Sequence, residues 1–191
     1  MGISDEKGNS ILMQSGVLDF IQYAAAYCAL VEPQTTPHWD RSSLVECRKL
    51  LAWVYATGLS LPELSIDPFV NLERVVTESE YELVRNRIEQ FLGENDLFLN
   101  AQMEEMKYSD IPVSVSTSEI LADIYQSLAD TIWIFRGQLE RNMRQAIAEV
   151  RYALEHEWGT LLLAALRQLH DLHVDPNFEI HEDELDDQWD Q

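Results

Sequence analysis

The chain has 191 residues, an apolar fraction of 46% and a formal net charge of −21 at pH 7. This length suits one domain with its own hydrophobic core, and the apolar fraction excludes an intrinsically disordered chain. The negative charge argues against nucleic acid and against an anionic membrane as direct ligands, since both would be repelled.

Apolar residues recur at intervals of three and four through almost the whole chain, which predicts an all-α fold. The pattern indicates a single-domain bundle of about five to six helices, because few Gly and Pro residues interrupt it. Helices are predicted near residues 17–31, 43–57, 77–92, 116–136 and 139–172. Ser43 with Glu46, and Thr77 with Glu80, have the spacing of a capping box, so Ser43 and Thr77 are predicted to begin the second and third helices.

Cys28 and Cys47 lie among apolar residues of the first and second predicted helices. A disulfide framework requires more cysteines in a smaller chain. Both residues are therefore predicted to be buried, reduced thiols of a cytoplasmic protein. No secretory signal is evident near Asp5 and Glu6, and the longest apolar run, residues 161–166, is too short to cross a membrane.

Two connections between predicted helices are long, residues 60–76 and 94–115. Structureless loops of this length are unusual in compact domains, so each is expected to hold a short helix or turn. Residues 95–106 are the better candidate for such a short helix or turn. Residues 113–115 are too few to predict a strand and follow Pro112, so no strand is predicted.

The fourth predicted helix carries the best candidate site. Glu119, Asp123, Gln126 and Asp130 are spaced four, three and four residues apart, so they share one stripe, with Trp133 near its end. Such a stripe can bind a basic partner, or a divalent metal through oxygen ligands. The favoured interpretation is an ordinary solvated or salt-bridged helix face, paired with arginines of the next segment. Those arginines are Arg136, Arg141, Arg144 and Arg151.

The apolar stripe barely breaks over residues 139–172, and Gly159 within it costs a helix only about 1 kcal/mol. One long helix with a bend near residues 158–160 is therefore predicted, while two helices divided at Gly159 also fit the pattern. His170 and His173 share a face of this segment, and histidines at that spacing can bind zinc. Surface histidines near a helix C-terminus are the favoured interpretation, because no standard set of metal ligands accompanies them.

Residues 175–191 carry eight carboxylates and no Lys or Arg. They are predicted to form a disordered acidic tail after a helical domain of residues 1–174, which keeps a net charge of −13. Trp189 in this tail fits a short linear binding motif, and an incidental aromatic in a solubilising tail fits the sequence equally well.

A series of motifs extends over roughly residues 17–170. They are Tyr27-Cys28, then Gly58 with Leu61-Pro62, then Tyr108-Ser109-Asp110 with Pro112, then Ser118-Glu119 with residues 121–126, and last Trp158-Gly159 with Leu166, Leu169 and His170. In this order they resemble the bacterial domain-of-unknown-function family five-zero-six-three. Ser127 departs from the family pattern, which often has an acidic residue there. The resemblance implies a small all-helical bacterial protein and no particular activity, since none is established for the family.

Motifs typical of catalysis are absent from the sequence, which has no Gly-rich phosphate loop, nucleophile elbow or H-E-x-x-H. The leading hypothesis is a non-enzymatic helical module that binds another protein and needs no cofactor. The alternative is a metal- or small-ligand-binding bundle that uses Glu119, Asp123 and Asp130. A third hypothesis is a nucleic-acid mimic that occupies a basic site on another protein.

Overall fold

The computed structural model describes residues 14–100 and 113–178. Its helices are α1 (Ser15–Val31), α2 (Arg41–Gly58), α3 (Glu78–Leu92), α4 (Thr117–Arg136), α5 (Glu140–Ala153) and α6 (Gly159–Val174). A 3-10 turn covers Gly93–Asp96, a π-helical turn covers Leu154–Trp158, and two short strands are β1 (Leu97–Asn100) and β2 (Val113–Ser116). The predicted all-α bundle is confirmed.

The helix α4 is the centre of this bundle, because it packs against α1, α3, α5 and α6. Leu128 on α4 is fully buried, and the backbone oxygen of Leu121 accepts a hydrogen bond of 2.8 Å from the buried Tyr27 hydroxyl. Cys28 and Cys47 are free thiols in the same core, as predicted, and burial raises the pKa of Cys47 to about 12. Among the described helices, none is both long and apolar enough to cross a lipid bilayer.

Two capping boxes fix where α2 and α3 begin. The predicted box of α3 is confirmed, since Glu80 Oε2 accepts from the backbone N of Thr77 at 2.8 Å. At α2 the prediction was wrong, because Asp40 is the N-cap and Ser43 is the third residue of the helix. Asp40 Oδ1 accepts from Ser43 N at 2.9 Å, and Ser43 Oγ accepts from Asp40 N at 3.1 Å. Both residue types are favourable caps, so their spacing alone did not distinguish them.

The small sheet contradicts the prediction that the chain has no strand. The strands β1 and β2 pair antiparallel, with Leu97 opposite Ser116 and Asn100 opposite Val113. The short helix or turn expected near residues 95–106 is the 3-10 turn Gly93–Asp96, which begins earlier and is followed by β1. Residues 101–106 lie outside the described residues. Four residues are too few for an alternating pattern to show in a sequence.

Asp96 joins this hairpin to the beginning of α4. Its carboxylate is 4% exposed and accepts from the backbone N of Ser118 at 2.7 Å and from the hydroxyl of Ser116 at 2.8 Å. A carboxylate at this place compensates the partial positive charge of a helix N-terminus. The hairpin is therefore fixed to the central helix by a buried polar contact.

The segments α5 and α6 follow one another without a break through the π-helical turn, so the long helix predicted for residues 139–172 is present. A π turn accommodates one extra residue, which brings the backbone of Leu154 against position 159. A Cβ at Gly159 would overlap the carbonyl oxygen of Leu154. The absent side chain of Gly159 is thus what permits the π turn.

We expect Gly159→Ala to lower the free energy of unfolding by about 1–3 kcal/mol or more, since Leu154 or the π turn must move. Gly137→Ala is the matched control: a Cβ there meets Ile134 O at 3.4 Å, and Gly137 has a φ of −72°. That change is expected to be neutral or stabilising by up to about 1 kcal/mol. Urea unfolding measures both variants, and equal midpoints would contradict the role given to Gly159.

The packed domain continues beyond the predicted boundary at residue 174. Phe178 is 5% exposed, and its ring meets that of Phe91 edge-on with centroids 6.2 Å apart. Phe91 packs in the same manner on Trp39, at 5.3 Å. Residues 175–178 therefore return the chain to the core. The rest of the predicted tail, with Trp189, lies outside the described residues.

Candidate functional site

Residues 60–77, between α2 and α3, form a strap without helix or strand that lies against α4 and α5. Two buried polar side chains hold it. Asp130 Oδ1 accepts from the backbone N of Val75 at 2.8 Å and of Val76 at 3.2 Å, and Gln145 Oε1 accepts from Asp67 N at 2.8 Å. Both Asp130 and Gln145 are only 3% exposed, so these contacts replace the hydrogen bonds that regular structure would supply.

The strap covers one residue of the predicted stripe on α4 and leaves the others exposed. Glu119, Asp123, Gln126 and Trp133 are exposed, as a surface stripe requires, while Asp130 is buried. Helical spacing placed Asp130 on the same face correctly, and only the tertiary contact with residues 74–76 covers it. Asp130 is therefore a residue that holds the strap, and it is not part of an exposed carboxylate surface.

Of the four arginines predicted to neutralise the stripe, Arg141 and Arg151 pair elsewhere, and Arg136 and Arg144 form no ion pair within the described residues. Arg141 pairs with Asp67 at 3.0 Å, and Arg151 pairs with Glu63 at 3.1 Å and with Glu155 at 2.9 Å. The cation beside Asp130 is instead Arg74 of the strap, at 3.6 Å. Asp130 therefore lies beside a cation, but that cation is not one of the four predicted arginines.

Asp123 meets a tyrosine rather than an arginine. Its Oδ1 accepts from the hydroxyl of Tyr81 on α3 at 2.9 Å. Burial, together with the neighbouring Asp123 carboxylate, raises the pKa of Tyr81 above its usual range. The tyrosine therefore stays a neutral hydrogen-bond donor to the Asp123 carboxylate.

An open groove of about 740 Å³ lies between α4 and α5, and we call it the α4–α5 groove. The helix α4 contributes Asp123 and Gln126 to its lining, and the π-helical turn contributes Glu157 and Trp158. Trp158 is buried, and its Nε1 donates to Ser127 Oγ at 3.2 Å. The lining therefore combines an apolar floor with carboxylates and an amide at the rim.

The charges that line the α4–α5 groove are unbalanced. Among the described residues that line it, Arg74 is the only cation, and Glu149 at 3.1 Å and Asp130 already accompany it. Asp123 and Glu157 form no ion pair within the described part of the chain. Carboxylates without a cation leave a negative potential in a cleft, so the groove attracts positively charged groups.

The π-helical turn is the part of this site that sequence reasoning missed. It directs Glu157 and Trp158 into the groove, whereas the sequence indicated only a helix with a possible bend. Single π turns within α-helices occur frequently at functional sites. The usable signal was Gly159 next to Trp158 in an otherwise regular stripe, and it located the irregularity without showing its type.

The two histidines of α6 lie beside arginines of α2. His170 Nδ1 is 3.1 Å from Arg48 Nη2, and since a guanidinium can only donate, this nitrogen is the acceptor of that hydrogen bond. Burial, followed by the charges of Arg48 and Arg41, lowers the pKa of His173. These neighbours oppose a bound cation. Within the described residues there is also no group of three or more His, Cys, Asp or Glu that could hold a metal.

A solved structure is similar to this fold over nearly its whole length. It is protein BF1032 from Bacteroides fragilis, with 28% sequence identity and a TM-score of 0.74, and the match covers 88% of this chain and 99% of that one. A search of curated proteins finds no significant match. The profile of a domain of unknown function, DUF5063, matches residues 13–175, which confirms the resemblance seen in the motifs. The chain therefore belongs to the DUF5063 family.

Proposed function

We propose that this protein is a non-enzymatic module that binds another protein, and that the partner docks in the α4–α5 groove. The observation that carries the proposal is the pair Asp123 and Glu157, two rim carboxylates without a cation, beside the apolar floor at Trp158. Charged groups at a rim steer a partner and select its sign, while apolar contacts in the centre supply most of the affinity.

The partner segment that suits this groove is basic and partly apolar. A Lys or Arg side chain can lay its aliphatic part against Leu161 and Trp158 while its charged end reaches Asp123 or Glu157. Neither nucleic acid nor an anionic membrane is expected as a partner, since the chain carries a net charge of −21.

The double variant Asp123→Asn/Glu157→Gln is expected to weaken capture of such a segment by roughly 2- to 30-fold, since each exposed ion pair contributes about 0.2–1 kcal/mol. The probe is a labelled peptide that alternates lysine and leucine, titrated by fluorescence anisotropy. The matched control is Asp19→Asn/Glu119→Gln, which removes the same charge from exposed positions outside the groove. An equal loss of peptide affinity in both double variants would show that only the net charge of the protein matters. That result would contradict docking in the α4–α5 groove.

The second candidate function is the binding of a metal or a small ligand by the stripe on α4. It requires Glu119, Asp123 and Asp130 to act together, whereas Asp130 is buried and occupied by Val75, Val76 and Arg74. The geometry therefore supports it less well. Thermal melts of protein purified without chelator test it, because a specific metal raises the melting temperature by mass action. A shift with Mg²⁺, Ca²⁺ or Zn²⁺ that Asp123→Asn removes would favour this candidate.

We also place the protein in the bacterial cytoplasm. Two free thiols buried in the core suit a reducing compartment, where disulfides are rare. The similar structure from Bacteroides fragilis supports a bacterial source.

A further inference from the structure

Four basic side chains of α2 and α6 lie together at one end of the bundle, and we call them the cationic cluster: Arg41, Arg48, His170 and His173. Arg41 Nη2 donates to the backbone oxygens of His173 at 3.4 Å and Asp175 at 3.3 Å. Arg48 Nη2 lies against His170 Nδ1 at 3.1 Å. The two arginines therefore contact neutral acceptors of α6 and its C-terminal cap.

The two arginines of the cationic cluster have no carboxylate partner among the described residues, which is also true of Arg136 and Arg144. Neither Arg41 nor Arg48 forms an ion pair within residues 14–100 and 113–178, although the chain has 34 carboxylates for 13 Lys and Arg residues. Other cations in the same ranges do have one: Lys49, Arg74, Arg85, Arg141, Arg151 and Arg167. His173 Nδ1 is also buried without a hydrogen-bond partner there. The cluster thus offers positive charge that these residues do not neutralise.

We propose that the cationic cluster binds a carboxylate-rich segment, and that its occupant is residues 179–191 of the same chain. This segment contains seven carboxylates and no Lys or Arg, so its charge complements the cluster. The body of the domain carries a net charge of −13 and repels such a segment elsewhere. None of the four residues of the cationic cluster lines the α4–α5 groove.

The path of the chain supports this occupant over a separate acidic protein. The carbonyl oxygens of His173 and Asp175 already accept from Arg41. Phe178 packs in the same aromatic group as Trp39, two residues before Arg41. Arg48 lies about 10 Å further along α2, at about 1.5 Å per helical residue. An extended chain covers that distance in three to four residues at about 3.3 Å each. A tethered segment also binds at high effective concentration.

The test is paramagnetic relaxation enhancement in the full chain, with a spin label on Gln191→Cys. Cys28 and Cys47 are buried, and burial raises the pKa of both thiols, so the label reacts with the introduced cysteine alone. We expect strong broadening of the backbone amides near Arg41 and Arg48 and of the last two turns of α6. The broadening should disappear in about 1 M salt, where the Debye length is about 3 Å.

Arg41→Gln/Arg48→Gln should also remove the broadening, whereas the matched control Arg136→Gln/Arg144→Gln should retain it. If the first double variant does not fold, the same broadening is measured in Arg48→Gln alone and in wild type at increasing salt concentration. Broadening that is absent from the cluster in wild type, or that survives loss of its arginines, overturns the proposal. Broadening seen only between a labelled chain and a separate isotope-labelled chain assigns the occupant to a second copy and also overturns it.

Discussion

Replacing Asp130 by alanine is expected to lower the free energy of unfolding by about 2–5 kcal/mol, an effect as large as that of a core truncation. The backbone N–H groups of Val75 and Val76 lose their acceptor, and an unsatisfied buried donor costs about 1–3 kcal/mol. The exposed Arg74 adds little, since its charge remains solvated. Urea unfolding followed by circular dichroism measures the change.

Two further variants make this experiment specific. Asp130→Asn keeps one carbonyl oxygen for the strap and should lose less stability than the alanine variant. Asp123→Asn should change the free energy of unfolding by less than about 0.5 kcal/mol, because this residue is exposed and the amide oxygen can still accept from Tyr81. If Asp123→Asn proves as destabilising as Asp130→Ala, the distinction between a strap-holding residue and a surface residue is wrong.

Leu128→Ala is the second large effect, with an expected loss of about 2–5 kcal/mol through lost transfer energy and the cavity left behind. Leu128 is 0% exposed on the central helix α4, so neighbours on several helices would have to move to close the cavity. Leu83→Ala on α3 is the matched control, since Leu83 is 52% exposed and should cost less than about 0.5 kcal/mol. Similar unfolding midpoints for the two variants would show that the faces of α4 are assigned wrongly.

The elements that could be predicted from sequence are those with a periodic signal. The stripes of α1, α3 and α4 each bury most of their apolar residues, with Ile21, Tyr81 and Phe135 only partly buried. The capping box at Thr77 marked the start of α3. The hairpin had no such signal, because its four-residue strands depend on Asp96, whose role as a buried acceptor requires the three-dimensional contact with Ser118.

The candidate site was predictable only in part. Spacing on α4 correctly put Asp123, Gln126 and Asp130 on one face, but burial of Asp130 follows from the strap, which has no periodicity. The opposite side of the groove depends on the π turn, and a helical repeat does not distinguish such a turn from a simple bend at Gly159. Long-range contacts therefore decided which carboxylates face solvent.

The way in which the strap is attached determines where mutations are tolerated. Its attachment at Asp67, Val75 and Val76 uses backbone N–H groups, which every residue type except proline possesses. The side chains of Val75 and Val76 can therefore change without loss of these hydrogen bonds, whereas the Asp67 carboxylate also accepts from Phe69 N and pairs with Arg141. The path of the strap is fixed instead by the side chains of Asp130 and Gln145, which lie more than fifty residues away in the chain.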